Sequence, residues 1–185
     1  MDDPHPLHCF WTWGDGYLSN EIVKDPYTPE EFTRRLLRKC SAFVEEVRGG
    51  DSARIVEAYP FQLVARNHLR MGATDTDILN SCRRFAECVA PLQPLLIFLD
   101  SSDWETTLRR TIADRDDHFN DLFINSICRS PYGLKHGLHG LSGALSFYRH
   151  YERLVSRLRA EWPHPQLVAV PDEIGWAQTY AAIAR

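Results

Sequence analysis

The sequence predicts a three-layer α/β domain, a parallel sheet with helices on both faces. Short apolar or β-branched runs at 53–58, 95–99 and 166–170 have strand length, and segments of helical period separate them. No fixed-period repeat or low-complexity linker divides the 185 residues, so a single domain over 1–185 is expected. Strands alternating with helices favour parallel pairing through crossovers.

Taken in order, residues 1–27 are aromatic and turn-rich, with Phe10, Trp11, Trp13, Gly14, Gly16 and Tyr17, and read as a long loop. Thr28-Pro29-Glu30-Glu31 combines an N-cap candidate, proline at the first helical position and glutamate three residues past the cap. A helix should start there, burying Phe32, Leu36, Leu37, Cys40, Phe43, Val44 and Val47 before Gly49-Gly50 stops it. Ala53 to Ala58, β-branched at Ile55-Val56, reads as a buried strand with Glu57 near its carboxyl end.

Residues 61–71 and 75–89 read as helices; the second has Asp75 and Asp77 near its positive end and turns Ile78, Leu79, Cys82, Phe85, Ala86 and Val89 inward. Leu95-Leu96-Ile97-Phe98-Leu99 is an uninterrupted apolar run that suits a parallel strand covered on both faces, with Asp100 at its exit. Ser102 or Asp103 can cap a helix through about Arg115, and a second should span 116–129. Residues 130–143, with four glycines and Pro131, read as a loop. A long helix follows through Leu145, Tyr148, Leu154, Val155 and Leu158, then a strand at 166–170 and a terminal amphipathic helix over 172–185 with Ile174, Trp176, Tyr180 and Ile183.

Composition excludes some function classes. The chain is 44% hydrophobic and 25% charged with a formal net charge of −4, which suits an ordinary globular domain and argues against a phosphate-backbone binder of nucleic acid. No run of about 18 apolar residues occurs and the start lacks a basic, apolar leader, so neither membrane insertion nor export is expected. Five cysteines, an odd number without CxxC spacing, suit a reduced, cytoplasmic protein. His136 and His139, i and i+3, lack a specified third ligand, so no metal site is predicted, and the sequence specifies no cofactor.

Three stretches carry a likeness: Ile55-Val56-Glu57-Ala58-Tyr59-Pro60-Phe61-Gln62, then Pro91 to Asp100 followed by Arg109, Arg110 and Arg115, then Tyr132-Gly133 through Gly143. Together with Asp3-Pro4-His5-Pro6 they resemble the P-loop nucleoside and nucleotide kinase-like proteins, a group that includes thymidylate-kinase-like enzymes. The phosphate-cradling GxxxxGK[ST] loop is absent; Gly140-Leu141-Ser142-Gly143 lacks its lysine and hydroxyl pair. The resemblance therefore implies a kinase-like sheet without its first strand and phosphate loop, with 101–143 as a lid-like region and no ordinary ATP-dependent phosphorylation. The missing central strand leaves a gap that Phe10, Trp11 and Trp13 are expected to cover, or to use in docking another copy or another chain.

The same resemblance implies the site. Glu57 is the expected general base, against the plainer reading of a helix cap or a partner of Arg66. Arg115 is expected to stabilise an anion, since a guanidinium fork can hold two oxygens of a phosphate or sulfate, and pairing with Glu105 or Asp116 is the alternative. His136 is the candidate for acid–base work. His5, Gln62, Arg66, Asp100, Arg109, Tyr132, Lys135 and His139 are the expected substrate contacts.

The function so implied is a diverged enzyme acting on a small molecule that bears a phosphate or sulfate group, by transfer, cleavage or elimination. Two alternatives stand beside it: a non-catalytic binding or assembly subunit, and a small-molecule kinase whose P-loop lies upstream of this sequence.

Overall fold

The computed structural model describes residues 28–50, 54–57, 59–101, 103–170, 175, 177, 178 and 181. Helix α1 (Pro29–Val47) begins as its sequence dictates: the Thr28 hydroxyl accepts from the Glu31 amide at 3.2 Å, with proline at the first helical position. Glu31 turns its carboxylate to Arg35 and Arg34, and those bonds hold its pKa below the usual value. Phe32, Leu36, Cys40, Phe43 and Val44 form the buried stripe, joined by Thr33; Leu37 and Val47 lie at its margin.

After Pro60 the chain makes a π-helical turn over Phe61–Arg66 and tightens into the short helix α2 (Asn67–Arg70). Helix α3 (Asp75–Val89) starts in a capping box between Thr74 and Asp77 and buries all six expected apolar residues. Strand β1 (Leu96–Leu99) leads through α4 (Trp104–Ala113), α5 (Asp117–Cys128), α6 (Pro131–Lys135) and α7 (Gly140–Ala160) to strand β2 (Gln166–Ala169). The strands pair in parallel, Leu96 opposite Gln166 and Leu99 opposite Ala169.

Helices dominate, and this corrects the expected three-layer sheet. Among the described residues there are seven α-helices and one two-stranded sheet. Of the predicted strand at 53–58, the described residues 54–57 form no strand: they have no regular structure and Ile55 is 61% exposed. β-branched composition favours extended backbone, but a strand exists only where a neighbour supplies its hydrogen bonds, and 54–57 pairs with none of the described strands. The kinase-like sheet expected from the resemblance falls with it.

Among the described residues the run 95–99 is likewise not covered on both faces. Leu96 is buried and Phe98 turns inward, edge-on to Phe61 at 5.4 Å and beneath the Arg159 guanidinium at 4.2 Å. On the other face Leu95, Ile97 and Leu99 are 57%, 42% and 48% exposed. Among the described residues the helical core lies on one side: α1 packs against α3, the π turn joins both α3 and α7, and α5 packs along α7.

The expected loop at 130–143 is mostly helical. Ser130 caps α6 by accepting from the Gly133 amide at 3.1 Å, with Pro131 at the first helical position. Gly133 is there because a Cβ would collide with the Ile127 and Cys128 carbonyls, so the glycine marks close packing rather than a break. Of the predicted terminal helix, Gly175, Ala177, Gln178 and Ala181 are described; the rest, and the whole aromatic segment 1–27, lie outside the described residues.

Candidate functional site

The Pro60 carbonyl accepts from both the Val64 and Ala65 amides, at 3.0 and 3.2 Å, and this widened turn places the side chains that follow. Val64 and Ala65 go to the core; of Arg66, Asn67 and Arg70 that follow, the two arginines fall at i and i+4 on one side of the helical stretch and Asn67 is fully buried. All three carry buried polar atoms with no hydrogen-bond partner: Arg66 Nε, both amide atoms of Asn67, and Arg70 Nε. Arg70 is only 5% exposed, and its guanidinium donates from Nη2 to the Ser126 carbonyl at 2.9 Å. Burial lowers its pKa, and the nearby charge of Arg66 lowers it further. Tyr151 of α7 is pushed above the usual phenol value by burial, with Arg66 pulling the other way.

Tyr151 also lines a cavity of about 640 Å³ bounded by residues 55–57, 59–62 and 94–99 together with Phe85, Val155 and Trp162. Its lining is mainly apolar, with Glu57 and Gln62 among its few polar groups. The indole Nε1 of Trp162 is buried without a partner. Volume and lining match those of small-molecule sites.

The residues expected from the sequence divide over several places. Glu57 and Gln62 are exposed and share the cavity. Arg115 projects from the α4–α5 junction, its guanidinium 5.1 Å from the centre of the Phe119 ring. Arg109 pairs with Glu105 at 2.8 Å, and Glu105 also holds Arg149 at 3.1 Å. Asp100 is bound by Arg159 at 2.9 Å and so latches the exit of β1 to α7.

Tyr132 is buried. Its hydroxyl lies 2.8 Å from His150 Nδ1, while His150 Nε2 lies 2.9 Å from Asp75. His136 tilts against the Tyr132 ring at 4.2 Å, and Lys135 and His139 are exposed near the ends of α6 and α7. No hydrogen bond, ion pair or shared cavity brings Glu57, Arg115 and His136 together among the described residues, and His5 lies outside them.

Sequence reasoning named Arg66 but missed Asn67, Arg70 and Tyr151. The signal was available: the polar run Arg66-Asn67-His68 and then Arg70 lies inside an otherwise apolar helical segment. Among the described residues no group of three or more His, Cys, Asp or Glu side chains could hold a metal ion, and no helix is long and apolar enough to cross a membrane.

Comparison with protein-family models, curated proteins and solved structures returns no match.

Proposed function

We propose that the chain binds a small molecule carrying a phosphate or sulfate group, with the apolar body of that molecule in the cavity beside β1. The observation that carries this reading is the cavity itself: about 640 Å³, apolar over most of its wall, with Glu57 and Gln62 as the polar groups that would orient a ligand. Binding, rather than the proton transfer expected of Glu57 with Arg115 and His136, is what the geometry supports. A general base and an anion-stabilising cation act on one reacting group only when both reach it. The free thiols of Cys40, Cys82, Cys88 and Cys128 support a reducing, cytoplasmic setting.

The test is a fluorescence titration with anilinonaphthalene sulfonate, an aromatic anion. Ile97 lines the cavity while half exposed, so Ile97→Glu should weaken binding by about tenfold, since a charge in an apolar wall must be desolvated by the ligand. Leu134→Glu, at an exposed apolar residue outside the cavity, should leave binding unchanged. Equal affinity for wild type and Ile97→Glu would remove the cavity from the proposal.

A second reading, an assembly subunit, is favoured by the exposed Leu95, Ile97 and Leu99 on a parallel sheet, since such sheets are normally covered on both faces. Sedimentation velocity of the purified chain separates the two: a monomer across the working concentration range leaves the small-molecule reading alone.

A further inference from the structure

The helical stretch 61–70 carries Arg66, Asn67 and Arg70, whose buried Nε and amide atoms have no hydrogen-bond partner among the described residues, while Arg70 Nη2 bonds to the Ser126 carbonyl. Burying one guanidinium without a counter-charge is costly, and a second beside it adds repulsion. Neither Arg66 nor Arg70 forms an ion pair with any described carboxylate. Asn67 is fully buried, with its amide nitrogen and its amide oxygen both unpaired. Natural chains rarely leave such a set unsatisfied.

We propose that Arg66, Asn67 and Arg70 form a binding site for the phosphate group of a small molecule. The chemistry of the set selects that ligand. Two guanidiniums match the charge and planar oxygen pairs of a phosphate. The Asn67 amide offers a donor to a phosphoryl oxygen and an acceptor to a P–OH. A sulfate has no such hydroxyl near neutral pH, which favours hydrogen phosphate, or the monoanion of a phosphate ester, over sulfate. Arg66 is only partly buried, which makes it the solvent-facing member of the set. Tyr151 feels the charge of Arg66 and also lines the cavity, which gives the direction in which a phosphate ester held here would extend its organic body. That extension rests on the small-molecule reading above; the anion site stands without it.

The experiment is thermal unfolding of the full chain in sodium phosphate, sodium sulfate or sodium chloride at matched ionic strength. A ligand bound only by the folded state raises the midpoint with its concentration. Wild type should rise steadily with phosphate, less with sulfate and not with chloride. Arg66→Gln and Arg70→Gln should abolish the phosphate response, and Arg110→Gln, at an exposed arginine on α4, should retain it. Because Arg70 is buried, Arg66→Met serves as the second probe. It should raise the midpoint without phosphate, by removing an uncompensated charge, and be blind to added phosphate.

Identical phosphate and chloride curves for wild type, or a phosphate response that survives in Arg66→Gln and Arg66→Met, overturns the site. A sulfate response equal to that of phosphate overturns the part assigned to Asn67. Phenyl phosphate should bind about tenfold tighter than inorganic phosphate if its ring enters the cavity. If the two bind equally while the arginine variants stay unresponsive, the anion site stands and the cavity reading falls.

Discussion

The Nε2 of His68 lies 2.7 Å from the hydroxyl of Thr33, across 35 residues of chain, and joins α2 to α1 inside the core. His68 Nδ1 lies 2.8 Å from the Val64 carbonyl, and the Ser81 hydroxyl of α3 is 2.9 Å from the same Thr33 oxygen. A neutral imidazole suits this arrangement, with Nδ1–H donating to the carbonyl and Nε2 facing the threonine hydroxyl, whose single proton is shared with the Pro29 carbonyl at 2.9 Å. Three helical segments are thereby held in register by paired polar groups, which specify one packing more narrowly than apolar contact would.

Burial lowers the His68 pKa from 6.5, against opposing contributions from the Val64 and Pro29 backbone and from Glu30 and Asp77. The unfolded chain therefore binds this proton first. The stability contributed by neutral His68 is fully present above pH 6.5 and is lost as the pH falls through that value toward and past the folded one. Urea unfolding at pH 7.5 and pH 5.5 should show wild type losing more stability than His68→Gln over this interval, by at most about 1.4 kcal/mol per pH unit. Parallel losses in the two proteins would show that His68 does not set the slope.

Tyr132, His150 and Asp75 form a chain from α6 through α7 to the start of α3, at 2.8 and 2.9 Å, and Arg157 holds the other carboxylate oxygen of Asp75 at 3.1 Å. Tyr132→Phe removes one neutral hydrogen bond and should cost about 1 kcal/mol. Combined with His150→Phe in a double-mutant cycle, it should reveal a coupling of about 0.5 kcal/mol or more; additive losses would show that the contact contributes nothing specific.

Gly133 and Gly137 predict different outcomes for the same substitution. Gly133→Ala drives a methyl group into the Ile127 and Cys128 carbonyls and should cost about 1–3 kcal/mol or prevent folding. Gly137→Ala meets nothing within 4 Å, and only its φ of +60° opposes a side chain, at about 1–2 kcal/mol. Far-ultraviolet circular dichroism during thermal unfolding should rank Gly133→Ala as the less stable variant; the reverse order would contradict the close approach of α6 to the end of α5.

Gln93 closes the 3-10 turn after α3 in the left-handed region, at φ 51° and ψ 55°. A side chain there costs about 1–2 kcal/mol, and glycine removes that cost while losing about 0.5–1 kcal/mol to its freer unfolded state. Gln93→Gly should therefore raise the urea midpoint at an unchanged slope. A lowered midpoint would mean that the Gln93 side chain makes a stabilising contact.

What the sequence determined by itself is local. The start of α1 at Thr28-Pro29 and the inward set of α3 followed from capping chemistry and the 3.6-residue period, because both act within a few residues of chain. Where the chain runs extended at 95–99 and 166–170 was legible for the same reason, but the number of strands was not, since each strand needs hydrogen bonds from another part of the chain. Ile55-Val56 reads like Ile97-Phe98 in composition; the paired partner at 166–169 belongs only to the second. The glycines of 133–143 pointed to a loop because sequence does not distinguish a glycine that breaks a helix from one that lets another backbone approach.

The candidate site was legible only in part, at Glu57, Gln62 and Arg66. Tertiary structure alone decided that Asp100 is taken by Arg159, that Tyr132 is held by His150, and that Arg66 Nε, the Asn67 amide and Arg70 Nε are each buried without a partner among the described residues, whereas the pairing of Arg109 with Glu105 is local to α4. A side chain's chemistry is written in its own residue. Whether its charge is met depends on which groups the fold brings within a few ångströms, and that is a property of the packed chain.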